Sequence, residues 1–242
     1  MRIGLISDIH ADFLSLQRVW GHLESLGVEK VLCAGDMVGR GPDPDRTVDF
    51  LTERSVIAVR GNHDRWAVER GAGVEDAMGG VMSSAETIEK LKKLSPLKLI
   101  PLGGRFLTMV HGTPGSDLEY MRRSKYGPDR LDRVLEELET DVLVVGHTHA
   151  PMWYRNGQGM VVNPGSLMCV GTIHSSRSFG VLDLKQMQAQ FFHAVSGKEI
   201  AVPAWETLEE RATEAHIRQE PSAGLPARRQ SAGSRLPADD RF

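Results

Sequence analysis

Five apolar or β-branched runs in this chain each end in a short polar motif, and this arrangement constrains the fold more than any other feature. The runs cover residues 3–6, 31–34, 56–59, 106–110 and 142–145. A short apolar run bounded by glycine and polar residues is typical of a buried β-strand, so each motif is predicted to lie in the loop after a strand. In open α/β sheets, ligands bind at that carboxyl edge.

The five motifs supply the side chains that transition metals bind. Mixed imidazole, carboxylate and amide ligands favour Mn, Fe, Zn, Co or Ni over Mg and Ca, which prefer oxygen-only sites. Two such ions about 3.5–4 Å apart lower the pKa of a water bound between them and so generate a hydroxide nucleophile. The sequence therefore predicts a two-metal hydrolytic site. The motifs are Asp8-Ile9-His10, Gly35-Asp36, Gly61-Asn62-His63-Asp64, His111-Gly112 and Gly146-His147-Thr148-His149.

The motifs differ in how specifically each one indicates a metal site. A single Asp after a strand is usually a helix cap, and a single His is usually a satisfied polar side chain. His147 and His149 are more specific, because the end of a buried strand has no packing reason to hold two imidazoles. The prediction depends on all five motifs occurring together and in this order.

In these motifs the chain resembles the calcineurin-like metallophosphoesterase superfamily, in its compact bacterial and archaeal phosphodiesterase branch. The resemblance extends from Arg2 to about His193. It implies an α/β fold, a four-layer α/β/β/α sandwich in which helices flank two mixed β-sheets. Composition alone predicts a mixed α/β protein and no more than that.

The resemblance also implies a role for each site residue and favours manganese as the metal. His63 would be the catalytic general acid, and Arg40 would bind the substrate phosphate. Asp36 would bridge the two ions. One ion would be held by Asp8, His10, Asp36 and His149, and the other by Asp36, Asn62, His111 and His147.

One loop departs from the pattern of the related protein phosphatases. Those enzymes carry Gly-Asp-x-x-Asp-Arg-Gly, and their second Asp orients the catalytic histidine. This chain has Gly39 at that position, so the tautomer of His63 is expected to be less firmly fixed than in those enzymes. Asp64 is the candidate to compensate. Arg40 matches the phosphatase arginine, whose guanidinium binds two phosphoryl oxygens; the alternative is a solvated arginine in a turn.

Two classes of function remain open on this evidence. The first is an enzyme that hydrolyses small phosphodiesters, including cyclic nucleotides, with a phosphomonoesterase such as a protein or dinucleoside-polyphosphate phosphatase as its alternative. The second is a non-catalytic binding scaffold, because a retromer subunit uses the same fold for protein contacts with an impaired metal site. The intact ligand set favours the enzyme.

Residues 115–127, which we call the flap segment, leave the loop that contains His111 and show no clear periodicity. Tyr120 or Tyr126 is expected either to stack on a base or to pack on the domain. Three cations, Arg122, Arg123 and Lys125, are expected either to attract phosphate or to remain solvated.

Composition is ordinary for one soluble domain. Of 242 residues, 40% are hydrophobic, and the net charge of −3 creates no basic field for long nucleic acid, so a small phosphate ester is expected. Cys33 and Cys169 lack the spacing of a disulfide framework. The first strand begins at Arg2, which leaves no room for a signal peptide, and no apolar run approaches the roughly 20 residues of a membrane span. A cytoplasmic location is expected, with no membrane partner; the sequence does not indicate an oligomeric state.

Helical periodicity predicts three helices, at 13–26, 84–94 and 129–139, with Asp12 as the cap of the first. The runs 179–184 and 189–195 are predicted to form a hairpin that completes a second sheet. The loop Asn163-Pro164-Gly165-Ser166 is expected to close the wall of the site. The domain is predicted to cover residues 1–205, and 206–242 to form a polar helix and a disordered tail.

Overall fold

The chain begins with the buried strand β1 (Arg2–Ile6) and the helix α1 (Phe13–Ser25). Asp12 caps this helix, because the Ser15 backbone N–H donates to its Oδ1 at 3.0 Å. Apolar side chains of α1 recur at helical spacing, and this stripe is buried. The predicted cap is therefore confirmed.

The structure is a computed structural model and describes residues 1–74, 80–122, 124–168 and 176–205. Within these ranges the elements after α1 follow one another in the chain order below. They are β2 (Lys30–Cys33), α2 (Pro44–Glu53), β3 (Ile57–Ala58), α3 (Asn62–Arg70), α4 (Ala85–Lys92), β4 (Leu97–Leu102), β5 (Arg105–Val110), α5 (Pro128–Glu137), β6 (Val142–Val144), β7 (Met152–Arg155), β8 (Met160–Asn163), β9 (Ser178–Asp183), β10 (Gln188–His193) and β11 (Glu199–Ile200).

The strands form two mixed sheets. The first has the order β11-β10-β9-β1-β2-β3, and the second has the order β4-β5-β6-β8-β7. The strands β1, β2 and β3 run parallel in the first sheet, and β5, β6 and β8 run parallel in the second. In the first sheet antiparallel strands continue from β1 on one side only, so β3 is an edge strand. In the second sheet antiparallel strands flank the three parallel strands on both sides.

The late hairpin was predicted correctly as a hairpin but assigned to the wrong sheet. Its strand β9 pairs antiparallel with β1, with Ile3 opposite Leu182. The hairpin therefore extends the first sheet, while β4–β8 build the second. The reason is burial: β9 carries the run Phe179-Gly180-Val181-Leu182 and is buried at every position but its last, so it fits beside the central strand better than at an outer position.

Three hydrophobic clusters define four layers. Leu5 and Leu32 of the first sheet share a cluster with Met109 and Val144 of the second, so this cluster lies between the sheets. A second cluster joins the other face of the first sheet to α1, α2 and α4. A third joins the second sheet to α5. The predicted four-layer α/β/β/α sandwich is confirmed.

The three predicted helices are present as α1, α4 and α5, with ends within a few residues of the predicted ones. The sequence analysis missed α2 and α3. Pro44 is the first residue of α2, a position where proline is favoured although proline more often indicates a turn. The motif 61–64 forms the start of α3. It was interpreted only as a ligand loop, so the helix was not predicted.

Some predictions lie outside the described residues. These are the tail predictions for 206–242, Arg123 of the flap segment, and Cys169. The last described residue, Trp205, is buried in the cluster that contains α5, and its N–H donates to the Trp153 carbonyl at 3.1 Å. Among the described residues, no helix is long and apolar enough to cross a membrane.

Candidate metal centre

The predicted ligand residues lie together at the carboxyl ends of the parallel strands, where the two sheets meet. The loops after β1, β2 and β3 carry the ligand-type residues of the first sheet, and the loops after β5 and β6 carry those of the second. The site is therefore shared between two sheets rather than formed at the edge of one. All seven predicted metal ligands are in this cluster: Asp8, His10, Asp36, Asn62, His111, His147 and His149.

One group of ligand atoms comes from Asp8, His10 and His149. The Nε2 atoms of the two histidines are 3.0 Å apart. His149 Nε2 is 3.3 Å from Asp8 Oδ1, and His10 Nε2 is 3.9 Å from the same oxygen. Each donor therefore faces the same small volume, as the ligands of one ion would.

A second group is formed by Asp36, His111 and His147, with Asn62 beside it. His111 Nε2 lies 3.3 Å from Asp36 Oδ2 and 3.0 Å from Asn62 Oδ1. Asp36 Oδ2 is also 3.9 Å from His10 Nε2, in the first group. The Asp36 carboxylate therefore lies between the two groups, in the position predicted for the bridge.

Backbone carbonyls fix which ring nitrogen of two histidines is free. His111 Nδ1–H donates to the Ala34 carbonyl at 2.7 Å, which leaves its Nε2 for a metal. His147 Nε2–H donates to the Leu118 carbonyl at 3.1 Å, which leaves its Nδ1. Metal-binding histidines are normally oriented in this way through their second nitrogen.

The Asp8 carboxylate indicates that a cation fits here. Its Oδ2 accepts hydrogen bonds from Ser7 Oγ at 2.7 Å and from the His147 backbone N–H at 3.0 Å. Its Oδ1 is buried and accepts no well-aligned hydrogen bond from the described residues, although His149 Nε2 lies 3.3 Å away. A buried anionic oxygen without a donor is costly, and a bound cation removes that cost.

The ionisation of these groups also suits a metal. Burial lowers the pKa of His10 to about 3 and lowers that of His147, so both imidazoles are neutral. Burial opposes ionisation of Asp36 and Asp8, yet neighbouring histidines hold both pKa values below the usual range. Burial also lowers the pKa of His111, but the two aspartates override it and raise that pKa to about 10. In the ion-free chain, the His111 proton supplies positive charge to this anionic centre.

The ligand loops use backbone conformations that ordinary residues rarely adopt. Five of the seven predicted ligands have φ between +52° and +65°, in the left-handed region. Each such residue costs about 1–3 kcal/mol, and such strain clusters at functional sites. The strained ligands are Asp8, His10, Asp36, His147 and His149.

Asp64 holds the loop that carries Asp36. Its Oδ2 accepts the backbone N–H groups of Asp36 and Gly61, each at 2.9 Å, and its Oδ1 accepts those of Met37 and Val38 at 2.9 and 3.1 Å. Burial and the Asp36 charge raise the pKa of Asp64 to about 7, and these backbone donors oppose the rise. The suggestion that Asp64 replaces the partner of the catalytic histidine is therefore wrong, since its carboxylate is occupied by the backbone.

His63 lies on the first turn of α3 and is nearly fully buried. Its backbone N–H donates to Asp36 Oδ1 at 2.8 Å, and its ring centroid is 4.7 Å from that of His10. Its ring nitrogen is close enough to His10 and Asp36 to complete a third group of ligand atoms. These short distances suit either a proton donor or a metal ligand. The assignment of His63 as the general acid therefore stays a prediction.

The late loop braces the site as expected. Asn163 Nδ2 donates to the Gly146 carbonyl at 2.7 Å and to Thr148 Oγ1 at 3.1 Å. Ser166 Oγ donates to the Asp8 carbonyl at 2.9 Å. These bonds tie the loop to the backbone of the first and last ligand motifs, which limits movement of the ligands.

A cavity of about 530 Å³ opens over the cluster. Its wall includes four of the predicted metal ligands together with Arg40 and His63. Arg40 Nε is buried and has no hydrogen-bond partner among the described residues, so the guanidinium retains a free donor. This favours the predicted phosphate contact over a solvated turn arginine.

The flap segment divides into a part that faces the cavity and a part that does not. Tyr120 and Arg122 line the cavity. Tyr126 is buried in the cluster around α5, and Lys125 forms an ion pair with Glu119 at 2.6 Å. The stacking and phosphate hypotheses therefore remain for Tyr120 and Arg122, whereas Tyr126 packs on the domain.

The sequence analysis missed several residues of the site. Trp66 lines the cavity, with its ring centroid 4.9 Å from that of His63. Recognition of α3 would have found it, because residues three apart share a helix face. Arg65, which binds Asp117 through two hydrogen bonds of 2.6 and 3.2 Å, had no local signal.

A sandwich of two mixed sheets with a histidine and aspartate cluster at their shared edge defines a class of metal-binding α/β proteins. The model of the calcineurin-like phosphoesterase superfamily domain matches residues 1–187, and the chain belongs to this superfamily of metal-dependent phosphoesterases.

The chain is also similar to individual proteins. An uncharacterized protein of Methanocaldococcus jannaschii is 27% identical over 175 residues, which are 68% of this chain and 69% of that protein. Phosphodiesterase YfcE of Escherichia coli is 25% identical over 193 residues, 76% of this chain and 88% of YfcE. The crystal structure of a metallophosphoesterase from Sphaerobacter thermophilus matches with a TM-score of 0.62 at 22% identity, covering 90% of this chain and 94% of that one. The last comparison supports the fold alone.

Proposed function

We propose that this chain is a phosphodiesterase that hydrolyses small phosphate esters with two divalent transition-metal ions, manganese being favoured. The observation that carries the proposal is the position of Asp36, whose carboxylate contacts His111 on one side and approaches His10 on the other. A carboxylate shared by two ligand groups sets the spacing of two ions.

Each group of site residues would have a separate role in ester hydrolysis. Two bound cations would supply Lewis-acid stabilisation of the phosphoryl oxygens and activation of water. Arg40 would hold the phosphoryl group through its guanidinium, whose Nε has no other partner among the described residues, and this would fix the phosphorus for attack from one side. His63, on the cavity wall, would protonate the departing ester oxygen. The N-terminus of α3 adds backbone dipoles of the sign that stabilises an anion.

Diesters are proposed as the preferred substrates, with cyclic nucleotides among the candidates. Support comes from the relative YfcE, which is described as a phosphodiesterase. The alternative is a phosphomonoesterase of the protein or dinucleoside-polyphosphate phosphatase kind. A binding scaffold is disfavoured, because a scaffold has no need of five strained ligand residues.

The deciding experiment is a substrate panel assayed with each metal. Monoesters, diesters and cyclic nucleotides are incubated with protein loaded with Mn, Fe, Zn, Co or Ni. The proposal predicts metal-dependent turnover that is highest on diesters and that Asp36→Asn abolishes. Asp12→Asn is the matched control, since Asn caps a helix as well as Asp. Turnover that Asp36→Asn leaves intact would refute the proposal.

We also propose a cytoplasmic location. Support comes from Cys33, a buried free thiol in β2 whose pKa is raised by burial. Such a thiol persists in a reducing compartment. Fractionation of cells that express the chain would test this, and recovery outside the cytoplasmic fraction would contradict it.

A further inference from the structure

Arg122 is a cation of the cavity that the proposed chemistry does not use. It lines the same cavity as Asp36 and His149. Its guanidinium carbon lies 4.1 Å from the centroid of the Tyr120 ring. Tyr120 in turn stacks on His147, with 4.3 Å between the ring centroids and 20° between the planes. Arg122 therefore reaches the cavity from the side of Tyr120, whereas Arg40 reaches it from the loop after β2.

The charge of Arg122 is not neutralised within the described part of the chain. Lys125 and Arg130 both pair with Glu119, at 2.6 and 3.5 Å, and Asp117 is held by Arg65. No carboxylate of the described residues lies within 4.0 Å of Arg122. The acidic groups of the flap segment are thus engaged by other cations, and Arg122, which lines the cavity, is left for a ligand.

The flap segment is fixed against the site at two points. The Asp117 carboxylate binds Arg65, which belongs to the same helix as His63. The Leu118 carbonyl accepts a hydrogen bond from His147 at 3.1 Å. Because these two contacts already restrain the backbone just before Arg122, less conformational entropy is lost when a ligand orders this residue. Contact with the Tyr120 ring restricts the guanidinium further.

The cavity is larger than one phosphoryl group needs. Its volume of about 530 Å³ is in the range of sites for whole cofactors and other small organic ligands. Trp66 and Leu118 give part of its wall an aromatic and apolar surface, which suits an organic group. If Arg40 and the metal ligands hold the scissile phosphoryl group, Arg122 is available for a different anionic group of the same substrate.

We propose that Arg122 forms a second phosphate-binding subsite, so that the preferred substrates are phosphodiesters that carry an additional phosphate on the part of the molecule that lies along the flap segment. This inference rests on the proposed phosphodiesterase function. The guanidinium would bind the additional phosphate through paired N–H donors, which lysine cannot reproduce.

Two substrates that differ by one phosphate test this subsite. Thymidine 5′-(4-nitrophenyl phosphate) is compared with its 3′-phosphorylated form on the manganese-loaded full chain, with release of nitrophenolate as the signal. Both have the same leaving group, so the ratio of their kcat/KM values reports the additional phosphate. We expect a ratio of roughly 10 or more in favour of the phosphorylated form, as one charge-assisted interaction provides.

Three variants distinguish a specific contact with Arg122 from a general attraction between the phosphate and the positive charges of the site. Arg122→Gln should bring the ratio close to one, and Arg122→Lys should retain part of it. Arg130→Gln is the matched control, because Arg130 is already paired with Glu119, and it should keep the wild-type ratio. A wild-type ratio near one, or a ratio that Arg122→Gln does not change, would overturn the subsite alone. Failure of the wild-type protein to hydrolyse either compound would overturn the phosphodiesterase proposal and the subsite with it.

Discussion

Replacement of Asp64 tests how the ligand loop is held in place. Each oxygen of its buried carboxylate accepts two backbone N–H groups, from Asp36 and Gly61 on one oxygen and from Met37 and Val38 on the other. Asp64→Asn keeps the shape of the side chain but converts one oxygen into an amide nitrogen, which donates. Two of the four backbone donors then lose their acceptor.

The expected magnitude follows from those two donors. A buried N–H group without an acceptor costs about 1–3 kcal/mol, so the two donors together cost about 2–6 kcal/mol. Asp64→Asn also removes a charge that burial and Asp36 disfavour, and this offsets part of the cost, so the free energy of unfolding should fall by about 1–3 kcal/mol. That is a substantial part of the about 5–15 kcal/mol that stabilises a typical domain. The affinity for metal should fall as well, because Asp36 is on the loop that Asp64 holds.

Urea denaturation of ion-free protein, followed by far-UV circular dichroism, measures this loss. It is performed at pH 8, above the pKa of about 7 for Asp64, so that the wild-type carboxylate is ionised. Removal of ions keeps metal binding from adding to the stability. Asp12→Asn, a change of the same chemistry at another buried aspartate, should stay within about 0.5 kcal/mol of wild type. If Asp64→Asn loses less than about 1 kcal/mol, the reasoning about this carboxylate is refuted.

Three further predictions concern catalysis and the domain boundary. His63→Ala should keep its metal, and turnover should fall roughly 10²–10⁴-fold on esters with poor leaving groups but less on aryl esters; an equal loss on both, or loss of metal, would contradict the acid role. The kcat/KM for bis(p-nitrophenyl) phosphate should exceed that for p-nitrophenyl phosphate, and the reverse order would favour a phosphatase. A chain that ends at Trp205 should match the full chain in turnover and melting temperature, whereas one that ends at Ala204 should lose about 3 kcal/mol of stability with the buried indole. Equal melting temperatures for the two truncations would show that this indole does not stabilise the domain.

The cluster of ligand residues was predictable because its signal is local. Each predicted ligand directly follows an apolar run, and the parallel arrangement of strands brings loops of this kind to one edge. The late motif His147-Thr148-His149 illustrates the point, since two imidazoles directly after the buried β6 are not expected from packing alone. The four layers, by contrast, came from the resemblance to a family, because alternation and burial do not show which strands share a sheet.

The features that the sequence analysis missed or misassigned depend on contacts between residues that are far apart in the chain. The hairpin was placed in the wrong sheet because the pairing of β9 with β1 joins opposite ends of the domain. Asp64 was misjudged because its acceptor role depends on backbone donors 26 to 28 residues earlier. Likewise, Arg122 and Lys125 look alike in sequence, and the position of Glu119 decides that Lys125 is the paired one.

The metal content of the reconstituted protein tests the central claim most directly. Protein stripped of metal, reloaded with manganese and freed of excess ions is assayed for manganese per chain and for hydrolysis of bis(p-nitrophenyl) phosphate. The account predicts about two ions per chain in the wild type, as two ligand groups require, with hydrolysis lost on chelation and restored on reloading. Asp36→Asn, which alters the carboxylate shared by both groups, should lower the content of both ions, whereas His10→Ala should mainly lower one. A loaded protein that holds no more than trace metal, or hydrolysis that survives complete chelation, would contradict it.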